Sequence, residues 1–87
     1  MKVVLYSRPG CHLCDDAHAV IEAVRQETPF ELEIRDISGD LPLIMLYGHD
    51  IPVVTIDGKE AFRHRLTAPE LWRALLAARG GKGGATA

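Results

Sequence analysis

Two cysteines, Cys11 and Cys14, stand three positions apart in a chain of 87 residues that has no others. This C-x-x-C spacing suits disulfide exchange or metal ligation, and it also fits two small, inert, buried hydrophobes. The setting of the pair decides between these. An apolar run, Met1-Lys2-Val3-Val4-Leu5-Tyr6, is broken by Ser7-Arg8-Pro9-Gly10, and a helical pattern begins just after Cys11. A helix N-terminus presents unpaired backbone N–H groups and a partial positive charge. Both favour a thiolate, so cysteines at such positions ionise between about 3.5 and 7.5 rather than near 8.5. Cys11 is therefore expected to be the exposed nucleophile. Cys14 lies on the same side of the first turn and is expected to resolve the mixed disulfide that Cys11 forms. A purely structural bridge across so short a loop would constrain little of the unfolded chain.

Other groups near the pair have two readings each. His12, when protonated, would stabilise the thiolate; otherwise it faces solvent from the first turn. Asp15 and Asp16 favour the helix N-terminus but work against a nearby thiolate. They read as acids that support the helix. His18, one turn beyond Cys14, reads as a polar helix residue, and His49 and His64 have no evident partner.

The elements that must hold this site follow from periodicity. Lys2 to Tyr6 is apolar on both sides, which suits a central strand. Leu13, Ala17, Val20, Ile21 and Val24 form one stripe of a helix from His12 to Glu27, and Thr28-Pro29 ends it. Phe30 to Ile34 alternates apolar and charged residues, as an edge strand does. Ser38-Gly39-Asp40 leads into a short helix, Leu41 to Tyr47, with Pro42 in its first turn and Gly48 as its stop. Val53 to Ile56 is a strand, Asp57-Gly58 a two-residue hairpin turn, and Lys59 to His64 the return strand. Thr67 and Glu70 match a capping box, with Leu66 and Leu71 at its staple positions. Leu71, Trp72, Leu75 and Leu76 are the expected buried stripe of the last helix, and Gly80-Gly81 its end. The order β-α-β-α-β-β-α predicts an α/β, minimal thioredoxin-like fold. It has a four-stranded mixed sheet with helices on both faces, over residues 1–79, and a flexible glycine-rich tail over 80–87.

Composition excludes several classes. Apolar residues make up 47% of the chain, charged residues 25%, and the formal net charge is −2. No strongly basic face is required, so nucleic acid is not an expected partner. No stretch is long and apolar enough for a membrane span, and the N-terminal run is too short for a signal peptide. A cytoplasmic monomer is the expectation.

The segment Tyr6-Ser7-Arg8-Pro9-Gly10-Cys11-His12-Leu13-Cys14 resembles the active-site segment of glutaredoxins. Tyr47-Gly48-His49-Asp50-Ile51-Pro52-Val53-Val54 resembles their segment around a cis-proline. The similarity runs from about residue 1 to 79 and is strongest to small glutaredoxin-like proteins that carry C-H-L-C. It implies that Cys11 is the nucleophile and Cys14 the resolving cysteine, and that Pro52 is the cis-proline beside them. It also implies that the backbone of Ile51 pairs with the cysteinyl part of a bound thiol, and that Arg8 meets a glutathione carboxylate. The implied partner is a disulfide-containing protein or a low-molecular-weight thiol, with glutathione as a co-substrate and no bound cofactor. One segment departs from the glutathione-using pattern. A Gly-Gly pair and an acidic residue are expected after the hairpin, where this chain reads Ala61-Phe62-Arg63-His64-Arg65-Leu66-Thr67. Arg63 and Arg65 there either bind a different acidic partner or face water from an edge strand; the second reading is favoured.

Two other classes compete with the oxidoreductase. Cys11 and Cys14 could supply two thiolates of a zinc site completed by histidines such as His12 or His49, or half of an iron–sulfur cluster shared with a second subunit. Alternatively the fold could be a redox-inert binding scaffold, which would not need both cysteines.

Overall fold

A computed structural model describes the backbone of residues 1–85 and the side chains of residues 1–79. Seven elements follow in order: β1 (Lys2–Ser7), α1 (His12–Glu27), β2 (Glu31–Asp36), α2 (Leu41–Tyr47), β3 (Val53–Ile56), β4 (Lys59–Arg63) and α3 (Ala68–Ala85). The strands form one sheet of order β2-β1-β3-β4. β1 is parallel to β2 and antiparallel to β3, and β3 is antiparallel to β4. The predicted α/β, thioredoxin-like architecture is the one observed.

Alternation along the central strands divides the structure into two faces. Val3 and Leu5 of β1 pair with Ile56 and Val54 of β3, and all four are buried. They pack against Ala17, Ile21 and Val24 of α1 and Leu71 and Leu75 of α3, in one cluster that holds the main core. Val4, Tyr6, Val53 and Thr55 point to the other side of the pleat. There the Tyr6 ring meets Tyr47 of α2, with centroids 4.8 Å apart. The two large helices thus share one face, and α2 lies on the other.

Local chemistry sets the element ends. At the hairpin, Asp57 (φ 50°) and Gly58 (φ 84°) both take the left-handed conformation that a type I′ turn requires. Asp57 Oδ1 also accepts from the Lys2 amide at 2.8 Å. The capping box of α3 closes in both directions. The Glu70 amide donates to Thr67 Oγ1 at 3.3 Å, and the Thr67 amide to Glu70 Oε1 at 3.0 Å. Leu66 and Leu71, its staple pair, are both buried in the core. The far end of α1 is tied to α3 by Arg79, which donates to Thr28 Oγ1 at 2.6 Å.

Four expectations need correction. β2 is Glu31–Asp36, not Phe30 to Ile34. Phe30 is buried just ahead of it, whereas Ile34 is 45% exposed, because the start of α1 leaves this edge of the core face uncovered. On α3 only Leu71 and Leu75 of the expected stripe are buried; Trp72 and Leu76 are exposed. The small Ala68, Ala74 and Ala78 complete the packed face instead and let α3 approach the sheet. β4 ends at Arg63, and His64 turns into the left-handed region (φ 68°), its amide shared between the Asp50 and Pro52 carbonyls at 3.2 and 2.9 Å. Ala61 is an extra residue opposite the Val54–Thr55 step, a bulge that the pattern does not reveal. Finally, α3 passes Gly80-Gly81, since glycine costs a helix interior only about 1 kcal/mol relative to alanine. The flexible tail expected over 80–87 lies outside the residues whose side chains are described.

Stability should follow this division of faces. Leu71→Ala empties a fully buried position and is expected to cost about 2–5 kcal/mol. Met45→Ala, at a position 81% exposed on α2, should change stability by less than about 0.5 kcal/mol. Urea unfolding of the two variants beside the parent chain measures both; equal losses would mean that the core has been misplaced.

Candidate active site

β1 delivers the chain to the site, and the loop Ser7-Arg8-Pro9-Gly10 turns it into α1. Gly10 has φ 81°, a conformation that side-chain-bearing residues rarely adopt, and it directs the next residue back over the end of the strand. That residue, Cys11, is the N-cap of α1, with an extended backbone (φ −92°, ψ 106°). Its Sγ accepts a hydrogen bond from the Cys14 amide at 3.1 Å. In this position oxygen side chains usually satisfy an otherwise unpaired helix donor. A sulfur does so here, and an amide aimed at a sulfur favours the thiolate.

Cys11 and Cys14 are joined as a disulfide, with Cα atoms 5.1 Å apart. The two are unequal. Cys11 is half-buried, whereas Cys14 is only 3% exposed beneath it. An incoming disulfide can therefore reach the first sulfur and not the second. Around the pair, His12, Asp15 and Asp16 are exposed, and Leu13 presents an apolar side chain to solvent at 40% exposure.

Sheet register brings the second motif to the same place. Tyr6 pairs with Val53, so Pro52, one residue earlier on the antiparallel strand, comes alongside Ser7. The Ile51–Pro52 peptide bond is cis and Pro52 is fully buried. The Ile51 amide donates to the Tyr47 carbonyl at 3.1 Å. Only its carbonyl is thus left to pair with a bound chain. Val53 also pairs with Arg63, which sets His64 and Arg65 at this same end of the sheet.

Three clefts lie near this end of the sheet, and one of them reaches a cysteine. One, of about 260 Å³, is lined by Arg8, Ile37, Ser38, Ile44, Gly48 and His49. A second, of about 350 Å³, lies between the start of α1 and the segment His64–Thr67. A third, of about 310 Å³, reaches Cys14 itself, past Arg8, Asp15, His18, Ile34 and Asp36. A larger hollow of about 400 Å³, bordered by Trp72, lies between α1 and α3 and includes no residue of the C-x-x-C segment.

Several partners were invisible in the sequence pattern. Arg63 is paired with Glu60 and with Asp50, and His64 Nε2 lies 3.4 Å from Asp50 Oδ1. The hydrogen bond that it donates to Glu60, then the charge of Asp50, raises the Arg63 guanidinium pKa, and Arg63 in turn lowers that of the Glu60 carboxyl. Arg63 is therefore used within the protein, bracing the loop before Pro52, and only Arg65 of the two remains for a ligand. His49, without an evident partner in the sequence, shares a cleft with Arg8. As for a metal, among the described residues no group of three or more His, Cys, Asp and Glu side chains is placed to hold an ion. His12 and His49 are not gathered with the cysteines into such a set.

Comparison with known proteins agrees with this geometry. Residues 2–76 match the family model described as Glutaredoxin-like domain (DUF836). A glutaredoxin-like protein of Dictyostelium discoideum, described as a YDR286C homolog, is 32% identical over 78 residues, covering 83% of this chain and 72% of the relative. The structural genomics protein XcR50 of X. campestris superposes with a TM-score of 0.73 at 34% identity, over 87% of this chain and 96% of that one. Reduced glutaredoxin of Escherichia coli superposes with a TM-score of 0.60 at 19% identity, over 94% of this chain and 99% of that one, a likeness of fold. With its C-x-x-C pair capping the first helix of a thioredoxin-like sheet, the chain belongs to the glutaredoxin-like (DUF836) family.

Proposed function

We propose that this protein is a thiol–disulfide oxidoreductase that reduces protein or glutathione mixed disulfides through Cys11 and Cys14. The observation that carries this reading is the inequality of the pair: an accessible sulfur at a helix N-cap, facing an amide, above a sulfur that solvent scarcely reaches. In the dithiol form, Cys11 thiolate attacks a substrate disulfide, one half of the substrate leaves as a thiol, and the other half remains bound to Cys11. Cys14 then attacks Cys11 Sγ, the second half leaves, and the pair ends as the disulfide. Reduction by glutathione or another low-molecular-weight thiol returns the dithiol, with no bound cofactor.

The surroundings suit a cysteinyl substrate with negative charge. Arg8 and His49 offer cationic and hydrogen-bonding groups to a carboxylate in one cleft, while Arg65 borders another. The Ile51 carbonyl lies between them in sequence and can accept from a substrate amide. Where glutathione-using glutaredoxins have Gly-Gly and an acid, His64 occupies a left-handed backbone position with Arg65 after it. That end favours an acidic group over the α-amino group of a glutamyl moiety, so a protein disulfide flanked by acidic residues fits as well as glutathione does.

Titration against glutathione redox buffers should show Cys11 and Cys14 as one two-electron couple, between about −270 and −180 mV. Cys14→Ser should accumulate a mixed disulfide on Cys11, seen by mass, and Cys11→Ser should exchange no disulfide. Full reductase activity in Cys11→Ser would sink the assignment.

Arg8→Glu reverses a charge at an exposed rim of the site. It should raise KM for a glutathionylated peptide about tenfold, equivalent to about 1.4 kcal/mol, with kcat nearly unchanged. The same variant should act normally on an uncharged hydroxyethyl mixed disulfide. A parallel loss on both substrates would remove Arg8 from carboxylate recognition.

A further inference from the structure

The cleft that reaches Cys14 contains a group to which the exchange cycle has so far given no role. Resolution needs Cys14 as a thiolate, yet Cys14 is 3% exposed, and buried thiols ionise poorly. Among the described residues, the amide directed at the pair serves Cys11 Sγ, not Cys14. Something else must take the Cys14 proton.

Cys14, His18 and Glu22 follow one another at intervals of four along α1. Residues so spaced share a helix face, and helical side chains lean toward the N-terminus. His18 therefore leans over the turn that holds Cys14, and Glu22 over the turn that holds His18. His18 and Cys14 line the same cleft, and His18 Nε2 lies 3.4 Å from Glu22 Oε2. The other oxygen of Glu22 accepts from Arg25 Nη1 at 3.3 Å, and Arg25 Nε donates to the Phe30 carbonyl at 3.2 Å. The carboxylate is thus held by a guanidinium that is itself tied to the chain beyond the helix. A proton on Nε2 faces this carboxylate, which leaves Nδ1 as the accepting nitrogen of the ring.

We propose that His18 is the proton acceptor for Cys14 in the resolving step and that Glu22 positions its ring; this rests on the dithiol exchange proposed above. The Cys14 S–H proton passes to His18 Nδ1, directly or through one water. The sulfur electron pair forms the bond to Cys11 Sγ, and the bond between Cys11 Sγ and the substrate sulfur breaks. The substrate leaves as a thiolate and takes up a proton from the imidazolium or from solvent. The protein dithiol has then lost two electrons, and the substrate disulfide has gained them.

Other ionisable groups face this cleft: Asp15 on α1, Arg8 in the loop after β1, and Asp36 on β2. Carboxylates ordinarily ionise near 4 and thiols near 8.5, so proton transfer to Asp15 or Asp36 is uphill by more than four units. To an imidazole, near 6.5, it is uphill by about two. The two aspartates favour the imidazolium that forms, and Arg8 opposes it.

Stopped-flow reaction of the reduced protein with 5,5′-dithiobis(2-nitrobenzoate) separates the steps. The first thionitrobenzoate released reports attack by Cys11, and the second reports resolution by Cys14. In His18→Gln the second phase should slow about 10- to 100-fold at pH 7 relative to the first. That phase should then keep rising to above pH 8, where a thiol ionises unaided. Glu22→Gln should slow it less, because the ring loses the carboxylate that orients it. Added imidazole should speed the second phase of His18→Ala and not that of the parent chain. The first phase verifies in every variant that the fold and Cys11 are intact. An unchanged second phase and pH profile in His18→Gln would overturn the role of His18 alone. Absence of both phases in the parent chain would overturn the dithiol exchange and this proposal with it.

Discussion

The amides at the start of α1 need an acceptor, and in this chain a sulfur rather than an oxygen stands where the cap belongs. A thiol accepts a hydrogen bond weakly, while a thiolate accepts it strongly and also answers the positive end of the helix dipole. Whatever holds α1 in place therefore also keeps the Cys14 amide aimed at Cys11 Sγ. The remaining structure can be understood as the means of keeping that helix end fixed against the sheet. Ala17, Ile21 and Val24 anchor α1 to Val3 and Leu5, and Arg79 of α3 holds its far end at Thr28. A helix anchored along its length cannot retract its first turn when the disulfide opens.

The sheet performs a second task that neither motif could perform alone. C-x-x-C follows the end of β1, and Ile51-Pro52 precedes β3, some forty positions later in the chain. Antiparallel pairing of β1 with β3 makes the end of one strand the beginning of the other, so the two motifs meet without any contact between their own side chains having to bring them together. The antiparallel β3–β4 hairpin repeats the device and returns His64 and Arg65 to the same end. Arg63 then binds Asp50, linking the last residue of β4 to the loop before Pro52. This explains how a cation exposed on an edge strand is nevertheless engaged within the protein: it closes the frame around the site.

The elements were largely readable because their signals are local. The spacing of Leu13 to Val24, the Asp57-Gly58 turn and the Thr67–Glu70 capping box each lie within one element or its border, and α1, α2 and β3 begin and end where the pattern places them. The cysteine pair was readable for the same reason. What could not be read depends on neighbours distant in sequence. On α3, Trp72 and Leu76 are as apolar as Leu71 and Leu75, and only the approach of α1 decides which side is buried. The Arg63–Asp50 pair and the shared amide of His64 likewise depend on how β4 returns beside the Pro52 loop. Ile34 has the right parity for the core, but parity does not say how far along the strand the covering helix extends.

Charge around the pair presents an apparent conflict, since Asp15 and Asp16 follow Cys14 directly and oppose a thiolate. Magnitudes settle it. Both carboxylates are exposed, where two charges 4 Å apart interact by only about 1 kcal/mol and less at greater distance. Salt screens that further over about 8 Å at physiological strength. The Cys14 amide, by contrast, lies 3.1 Å from Cys11 Sγ in a part-buried position, and once the disulfide opens to a thiolate, a hydrogen bond to such a charged group contributes about 1.5–3 kcal/mol. The short-range donor therefore outweighs the exposed acids at Cys11. The same acids stabilise the N-terminus of the helix that presents the donor. Acidic residues in the first turn are thus compatible with a thiolate at Cys11, provided that they remain in water while an amide donor reaches the sulfur.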